Sequence, residues 1–464
     1  MKKVIVKSLI LLICLTALIS NISYAQTCPS IKAKAKPDKE WKTYPTNTIE
    51  SSKELACIAI DTNICTYGGD KNTSSKATGY FRVETSGGKF RMIDPDGHRF
   101  IVKGIVSVTP GNSKTTKNII STLPKGEISW ADDAAQLLQK NSFNSTGAWS
   151  DNDILNKAEH RVSYTIMVNF MSGYGKKRGG TFQQPGHTGY PNDCIFVFDK
   201  NFVKYCDEKA SKFTEYANDK YLVGYFSDNE MPFKEDMLVN YLGLPVSDEG
   251  YIAADNWMRN RKSGDYKKNE ITDTDKDAFM EYLSETYFGV TSAAIKKYDP
   301  NHLFLGSRFH GSALRLPGLF RGAGKFVDIF SINYYNVWTP VEESMNNWVK
   351  WSGKPFLITE WYVKAEDSGL PNYSGAGWIV GTQKDRGLFY QNFTLALLKN
   401  KGCLGWHWFK YMDNDPNGKG GDPSNEDSNK GIVKIDLTTY EDLMINMKSL
   451  NSRVYNLLNY FDKH

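Results

Sequence analysis

The sequence predicts an α/β protein folded as a (β/α)8 TIM barrel with a short N-terminal β-hairpin extension. Three observations predict it: eight short apolar runs with strand character follow one another along the 464 residues, segments with helical periodicity separate them, and no Gly-rich phosphate loop follows the first run. Alternating strands and helices form parallel βα units, and eight such units close a barrel. A doubly wound open sheet is the alternative, but it usually carries a GxGxxG loop after its first strand, which "VKGIVSV" lacks.

The predicted hairpin comes first. The stretch "YFRVETSGGKFRMIDPDGHRFIVKG" holds two short runs around Gly87 and Gly88 and a further turn at 94–97, so it reads as a hairpin leading into a third strand. The barrel strands are predicted at 100–108, 142–149, 164–170, 221–226, 303–308, 327–335, 355–360 and 403–409. Helical patterns lie between them, and a last one closes the chain.

The N-terminal residues have the pattern of a secretory signal peptide. Lysines precede an apolar run, and a small-residue motif ends at Ala25, so we expect residues 1–25 to be removed on export to the periplasm, cell surface or medium. The apolar run is too short to span a bilayer, which takes about 20 residues, and no later segment is a candidate span. A lipid anchor on Cys14 is the alternative. Residues 26–77 read as an irregular leader, and 78–464 as the catalytic domain including the hairpin.

Charge and cysteine usage narrow the classes of partner. The net charge is +5, and three of the lysines lie in the predicted signal segment, so the remainder is close to neutral and does not predict nucleic-acid binding. An oxidising compartment permits disulfides, and the spacing favours the local pairs Cys57–Cys65 and Cys194–Cys206. Cys403, in an apolar run, is expected to be a buried thiol. The oligomeric state is left open.

Two glutamates stand where a barrel places its active site, at the C-terminal ends of the strands. The fourth run ends in Asp228, Asn229 and Glu230, and the seventh ends in Glu360. Two carboxylates facing each other across the barrel mouth are what glycoside hydrolysis uses, because one protonates the leaving oxygen and the other attacks the anomeric carbon. Asn229 is placed to bond the sugar's 2-hydroxyl, and Asp228 to brace the site from behind. For either glutamate alone, a structural ion pair is the alternative.

Other strand ends supply candidate substrate-binding residues. Tyr334 is expected to hold Glu360 through its hydroxyl and keep it charged. Arg308 is a candidate contact for an anionic substituent, and His310 a hydrogen-bonding residue at the rim. Aromatic side chains there predict platforms for the apolar faces of sugar rings, although tryptophans in a barrel are as often core. The aromatic candidates are Trp149, Tyr335, Trp338, Trp361, Trp406 and Trp408.

The loop "DNDPNGKGGDPS", which begins at Asp413, starts like an EF-hand. Its twelfth position is Ser424, where calcium binding needs a bidentate glutamate, and no helix precedes it. The alternative is a Gly-rich wall of the cleft that contains Asp413. The histidines show no HxH or HExxH spacing and no CxxC occurs, so neither a metal nor a cofactor is predicted.

These residues resemble a clan of retaining (β/α)8 glycoside hydrolases, in which the acid/base Glu follows Asn on strand four and the nucleophile Glu ends strand seven. Within it the chain is most similar to the β-agarase type of glycoside hydrolase family 50. The matching stretches include "GYFSDNE", "PFLITEWYVKAEDSGLPN" and "GWHWFKYMDNDPNGKGGDPSNEDSNKGIV". The resemblance implies that Glu230 is the acid/base and Glu360 the nucleophile.

The expected function is that of a secreted retaining glycoside hydrolase. Its carbohydrate substrate would be a β-linked galactan of agarose-like, porphyran or carrageenan type. A β-galactosidase or another β-glycanase of the clan is the alternative. A non-catalytic surface glycan-binding barrel is the alternative from another class.

Overall fold

The structure of the protein, a computed structural model, describes residues 29–418 and 423–464. The predicted signal peptide and Cys28 therefore lie outside the described residues. Within them, no helix combines the length and apolarity needed to cross a membrane.

Eight parallel strands form the centre of the fold. They are β1 Val102–Ile105, β2 Ser145–Thr146, β3 Ser163–Met167, β4 Leu222–Asn229, β5 Leu303–Arg308, β6 Phe330–Asn333, β7 Phe356–Glu360 and β8 Cys403–Trp408. Neighbours in sequence pair in space, and β8 pairs with β1. Phe309, just past β5, bridges Ile332 in β6 and closes the ring. The predicted (β/α)8 barrel and the order of its strands are thus confirmed.

Helices cover the outside of the barrel and bury the apolar outer faces of its strands. The longest, Asp273–Tyr298, starts at a capping box in which Thr272 and Asp275 exchange side-chain and backbone hydrogen bonds. The remaining helices that follow the hairpin are Lys114–Ser121, Glu127–Lys140, Asn152–Leu155, Phe170–Arg178, Phe202–Ala210, Met237–Tyr241, Glu249–Lys262, Pro317–Gly324, Glu342–Ser352, Gln383–Lys399, Glu441–Asn451 and Val454–Phe461.

The hairpin is found where the sequence predicts it. Strands Arg82–Ser86, Lys89–Ile93 and Arg99–Phe100 form a three-stranded antiparallel sheet. Gly87 and Gly88 turn the first corner with φ of 58° and 71°, a backbone region that glycine enters without steric cost. The third strand continues directly into the barrel, so the sheet adjoins the end at which the barrel strands begin.

The segment before the hairpin has more structure than its composition predicts. Strand Ser30–Lys34 pairs antiparallel with Lys42–Pro45 on one side and with Ile379–Val380 on the other. Lys364–Ala365 completes this four-stranded sheet, and a short helix follows at Lys53–Ala56. The low regularity expected for 26–77 is wrong for residues 30–56, because Ser30–Lys34 pairs with a strand more than 300 residues away, a partner that local sequence does not reveal.

The predicted disulfides are absent from the described part of the chain. The free cysteines there are Cys57, Cys65, Cys194, Cys206 and Cys403. The Cys65 thiol donates a hydrogen bond to the Asp94 carboxylate at 2.9 Å, and burial raises its pKa to about 11. Cys194 and Cys206 are buried as small apolar groups in the core. Cys403 is half-buried rather than fully buried.

Candidate active site

The fourth strand extends three residues beyond its predicted end and carries the first glutamate into the barrel mouth. β4 includes Asn229, and Glu230 follows it with φ of 47°. A non-glycine residue in this left-handed region is uncommon and tends to mark functional sites. The Glu230 backbone N–H donates to the carbonyl of Arg308 at 3.1 Å, which fixes the turn. The Glu230 side chain is only 8% exposed, at the floor of a cleft.

Glu360, the last residue of β7, faces the same cleft. One of its oxygens, Oε1, accepts a hydrogen bond from the hydroxyl of Tyr335 at 2.5 Å. The other, Oε2, accepts from Nη2 of Arg308 at 2.8 Å. Burial, together with the nearby Glu360 charge, raises the pKa of Tyr335 well above its usual value. The hydroxyl therefore stays protonated and acts as a hydrogen-bond donor to Glu360. The carboxylate is thus oriented by one neutral and one cationic donor.

Asn333, the last residue of β6, links the two glutamates. Its Nδ2 lies 2.8 Å from Oε1 of Glu230 and 3.1 Å from Oε2 of Glu360. Two oxygens that share one nitrogen at these distances lie at most about 6 Å apart, so this pair of oxygens is closer than the ~6.5–9.5 Å between the carboxyl groups of inverting glycosidases. The Oδ1 of Asn333 accepts from the Thr359 hydroxyl at 3.0 Å, which sets the orientation of the amide.

Arg308 lies under the site and is fully buried. Its Nη1 donates to Oδ1 of Asn229 at 3.0 Å, and its Nη2 donates to the carbonyl of Thr359 at 2.7 Å as well as to Glu360. The guanidinium also lies 4.3 Å from the ring centroid of Trp149. Burial lowers the pKa of Arg308, but an arginine remains cationic at any physiological pH. Arg308 therefore positions Asn229 and Glu360. The sequence predicts that it contacts an anionic substituent of the substrate, but its guanidinium is buried beneath the site and does not face the cleft.

The cleft above these residues has a volume of about 640 Å³. Its walls come from distant parts of the chain, including the loop 373–376 after β7, Asn425 after β8, and Lys36 from the N-terminal segment. The aromatic residues that line it are Trp149, Tyr335, Tyr362, Tyr373 and Phe409.

Two histidines flank Glu230. The Nδ1 atoms of His187 and His310 lie 4.0 Å and 3.9 Å from its Oε2. His187 belongs to a small hairpin, Phe182–Gln184 with His187–Gly189, whose Gly186 carbonyl accepts a hydrogen bond from Asn229 at 3.1 Å. Burial lowers the pKa of His310, so its neutral form predominates at pH 7.

The same architecture occurs in a solved relative, BpGH50. That crystal structure superposes with a TM-score of 0.80 and 30% sequence identity, over 94% of this chain and 96% of the other. The chain belongs to glycoside hydrolase family 50. An exo-β-agarase structure and the agarase AgWH50C share the fold at TM-scores of 0.69 and 0.68, with 19% and 20% identity over 87% of this chain and 69% and 68% of theirs. No protein-family model matches the sequence.

Two curated relatives of this family 50 protein are longer than it is. It is 25% identical to β-agarase B of Vibrio sp. (strain JT0107) over 84% of the chain, and 23% identical to β-agarase A of the same organism over 87%. These matches cover 50% and 49% of the two agarases, so the chain spans about half the length of these relatives.

Three of the tryptophans predicted as sugar platforms lie in the core of the family 50 barrel. Trp361, Trp406 and Trp408 are at most 1% exposed. Trp361 stacks on Phe393 of the helix Gln383–Lys399 at 4.2 Å between ring centroids. Trp406 and Trp408 alternate with an inward-facing residue of β8, so both point outward to the helical layer. The prediction is wrong for all three and for Trp338, which is also buried. Trp149, 37% exposed, lines the cleft as expected.

The two tyrosines after β6 do not take the places expected for them. Tyr334 is buried against Trp348, and its hydroxyl accepts a hydrogen bond from the Val341 backbone at 3.3 Å. It does not hold Glu360. Tyr335 does, because it lies two residues after Asn333 and its side chain therefore points to the same side of the chain, toward the cleft.

Asp228 and Asp413 both hold the chain in place rather than line the cleft. Asp228 is buried, and its carboxylate accepts from the Met171 and Ser172 backbone N–H groups at 2.7 Å and 3.0 Å, which caps the helix Phe170–Arg178. It braces the strand end from behind, as expected, and does not line the cleft. Asp413 accepts from Gly431 N–H at 2.7 Å and the Tyr440 hydroxyl at 2.5 Å, so it anchors the loop after β8 rather than facing the cleft.

Three residues of the site are not among the candidates predicted from the sequence. They are Asn333, which links the two glutamates, His187 and Lys36. An amide at the end of β6, facing two strand-end glutamates, was the available signal for Asn333. Among the described residues, no group of three or more His, Cys, Asp or Glu side chains could hold a metal ion. Part of the EF-hand-like loop, residues 419–422, lies outside that description.

Proposed function

We propose that the protein is an exported glycoside hydrolase that cleaves a β-linked, agarose-like galactan with retention of configuration. The observation that carries the proposal is the pair Glu230 and Glu360 on one side-chain amide, with oxygens no more than about 6 Å apart. The agarase names of the relatives support the substrate class, and the N-terminal sequence pattern supports export.

In the first step, Glu230 gives its proton to the glycosidic oxygen while an oxygen of Glu360 attacks the anomeric carbon. The bond from that carbon to the leaving oxygen breaks as the bond to Glu360 forms. Glu230 is then a carboxylate, and the sugar is held as an ester of Glu360. Asn333 donates toward the Glu230 oxygen that gains this charge, which favours the proton transfer.

In the second step, Glu230 removes a proton from a water molecule whose oxygen attacks the anomeric carbon. The ester bond breaks, Glu360 returns to its carboxylate form, and Glu230 is protonated again. Arg308 and Tyr335 hold Glu360 as it leaves, since both donate to its oxygens. The proposed partner of the sugar's 2-hydroxyl is Asn229, which Arg308 and Gly186 hold by hydrogen bonds.

The aromatic residues that line the cleft support a carbohydrate ligand. Trp149, Tyr373 and Phe409 present ring surface around the two glutamates, and rings of this kind stack on the apolar faces of pyranoses. A β-galactosidase would use the same glutamates, so product analysis on polymer and on small β-galactosides separates the two activities.

The test is hydrolysis of agarose, porphyran and carrageenan by the wild type and by Glu230→Gln and Glu360→Gln. We expect each substitution to reduce kcat by roughly 10³-fold or more, with the exposed Glu343→Gln as the matched control. NMR of the first product formed should show the β-anomer. Near wild-type turnover in either variant would refute the assignment, and an α-anomer would refute retention. Binding without cleavage on a broad panel would favour a glycan-binding barrel.

A further inference from the structure

A second cavity, of about 470 Å³, lies at the opposite end of the barrel from the candidate active site. Asn144 and Val162, which line it, come just before β2 and β3 and so mark the end at which the strands begin. The N-terminal segment, including Thr66, and the helix end at Asn451 form other walls. This volume is in the range of small-molecule sites.

A buried ammonium group lines this cavity. Lys103, the second residue of β1, is only 5% exposed. Its Nζ donates to the carbonyl of Asn451 at 3.2 Å and lies 5.4 Å from the ring centroid of Tyr455. No carboxylate oxygen in the described part of the chain lies within 4.0 Å of this Nζ, although the charge of Asp61 acts on it from farther away. An ammonium has three N–H donors, so one long bond to a carbonyl leaves most of its hydrogen-bonding capacity unused.

The carboxylate that acts on Lys103 from nearby, Asp61, also lines the cavity, but its oxygens already accept hydrogen bonds from the backbone. Asp61 accepts backbone N–H bonds from Tyr455 at 2.9 Å and Asn456 at 3.0 Å, at the start of the helix Val454–Phe461. Burial raises the pKa of Asp61 and lowers that of Lys103 to about 8. Both shifts reflect an environment that solvates charge poorly, where an ammonium without an anionic partner costs free energy.

We propose that this cavity binds a small anion, up to the size of a monosaccharide, whose carboxylate or sulfate oxygens accept hydrogen bonds from Lys103. Such a ligand supplies the missing acceptors in a place where a charge-assisted bond is strong. Gln139 and Ser452 line the cavity and offer hydrogen bonds to ligand hydroxyls, while Phe143 supplies an apolar surface. The site is independent of the proposed hydrolysis, since it shares no residue with the cleft.

The proposal is tested by isothermal titration calorimetry of the full chain at pH 7 with galacturonate, galactose 6-sulfate, inorganic sulfate and neutral galactose. We expect an anionic probe to bind with 1:1 stoichiometry and galactose not to compete with it. If inorganic sulfate binds as tightly as the anionic sugars, the site recognises the anionic group alone. That result supports the proposal that Lys103 donates hydrogen bonds to carboxylate or sulfate oxygens. Absence of binding by all three anions overturns the proposal.

Two variants assign the binding to this cavity. Lys103→Met keeps most of the side-chain volume but removes the charge, and we expect it to weaken anion binding by about tenfold or more. The control is Lys71→Met, an exposed lysine outside the cavity, which should bind as wild type does. If Lys103→Met does not fold, Thr66→Trp on the exposed rim obstructs the entrance without touching the ammonium and should also abolish binding. Unchanged affinity in Lys103→Met and Thr66→Trp overturns the proposal. Neither substitution should affect hydrolysis in the cleft.

Discussion

Asn333 is the residue whose substitution tests the geometry of the site most directly. Its single Nδ2 lies within hydrogen-bond distance of Glu230, Glu360 and Asn229, at 2.8, 3.1 and 3.2 Å. An amide nitrogen has two hydrogens, so at most two of these three bonds form at once. The shortest of the three bonds is to Oε1 of Glu230, and the Glu230 carboxylate gains negative charge when its proton leaves.

Asn333→Ala removes this donor and leaves the oxygens to other groups or to water. Hydrogen bonds to charged groups contribute about 1.5–3 kcal/mol. Losing one that strengthens in the transition state should lower kcat/KM by about 10- to 150-fold. Asn333→Asp keeps the shape but sets a third carboxylate against two others, so we expect a larger loss than for alanine.

The assay is initial-rate hydrolysis of an agarose oligosaccharide over a range of concentrations, with circular dichroism to verify the fold. The matched control is Asn118→Ala, an exposed asparagine on the helix Lys114–Ser121. A kcat/KM within about twofold of wild type for a folded Asn333→Ala would refute the inference that this amide orients the two glutamates.

Three further outcomes follow from the packing. Tyr335→Phe should lower kcat by about tenfold or more because it removes the hydroxyl bonded to Glu360, whereas Tyr334→Phe should leave steady-state rates nearly unchanged. Trp361→Ala should reduce the free energy of unfolding, read by urea denaturation, by about 3–5 kcal/mol, and equal midpoints for variant and wild type would contradict its burial. Burial lowers the pKa of Lys364 in the folded protein to about 7, whereas the ordinary lysine pKa is near 10.4. Between these two pH values the unfolded chain binds more protons than the folded one, so the free energy of unfolding should rise with pH. Lys364→Met should flatten that rise in urea midpoints measured across this window, and an identical slope would contradict the shift.

The sequence by itself determined the barrel and the two glutamates. Eight separate strand runs with helical segments between them leave few other topologies, because parallel strands need crossover connections. Once the strands are counted, Glu230 and Glu360 follow, since the C-terminal strand ends share one rim. Both predictions depend on local patterns and on a geometric rule that holds for every barrel of this kind.

Only the tertiary structure decided which side chains face the cleft. Both faces of a barrel strand are buried, so an apolar run does not show which side points inward. Trp406 and Trp408 therefore pack against helices, and Tyr335 rather than Tyr334 bonds Glu360. Tyr335 shares the side of the chain on which Asn333 lies, and that side is set by how β6 packs in the barrel rather than by local sequence.

The walls of the cleft were decided in the same way. Lys36 reaches it because the strand Ser30–Lys34 pairs with Ile379–Val380, and its ammonium then donates to the carbonyls of Tyr373 and Gly375, both at 2.8 Å. Lys364 holds the same loop through the carbonyls of Asn372 and Ser374. The composition of the N-terminal segment predicts an irregular structure. Its order comes instead from contacts with residues far away in the chain, and such contacts form only when the barrel brings them together.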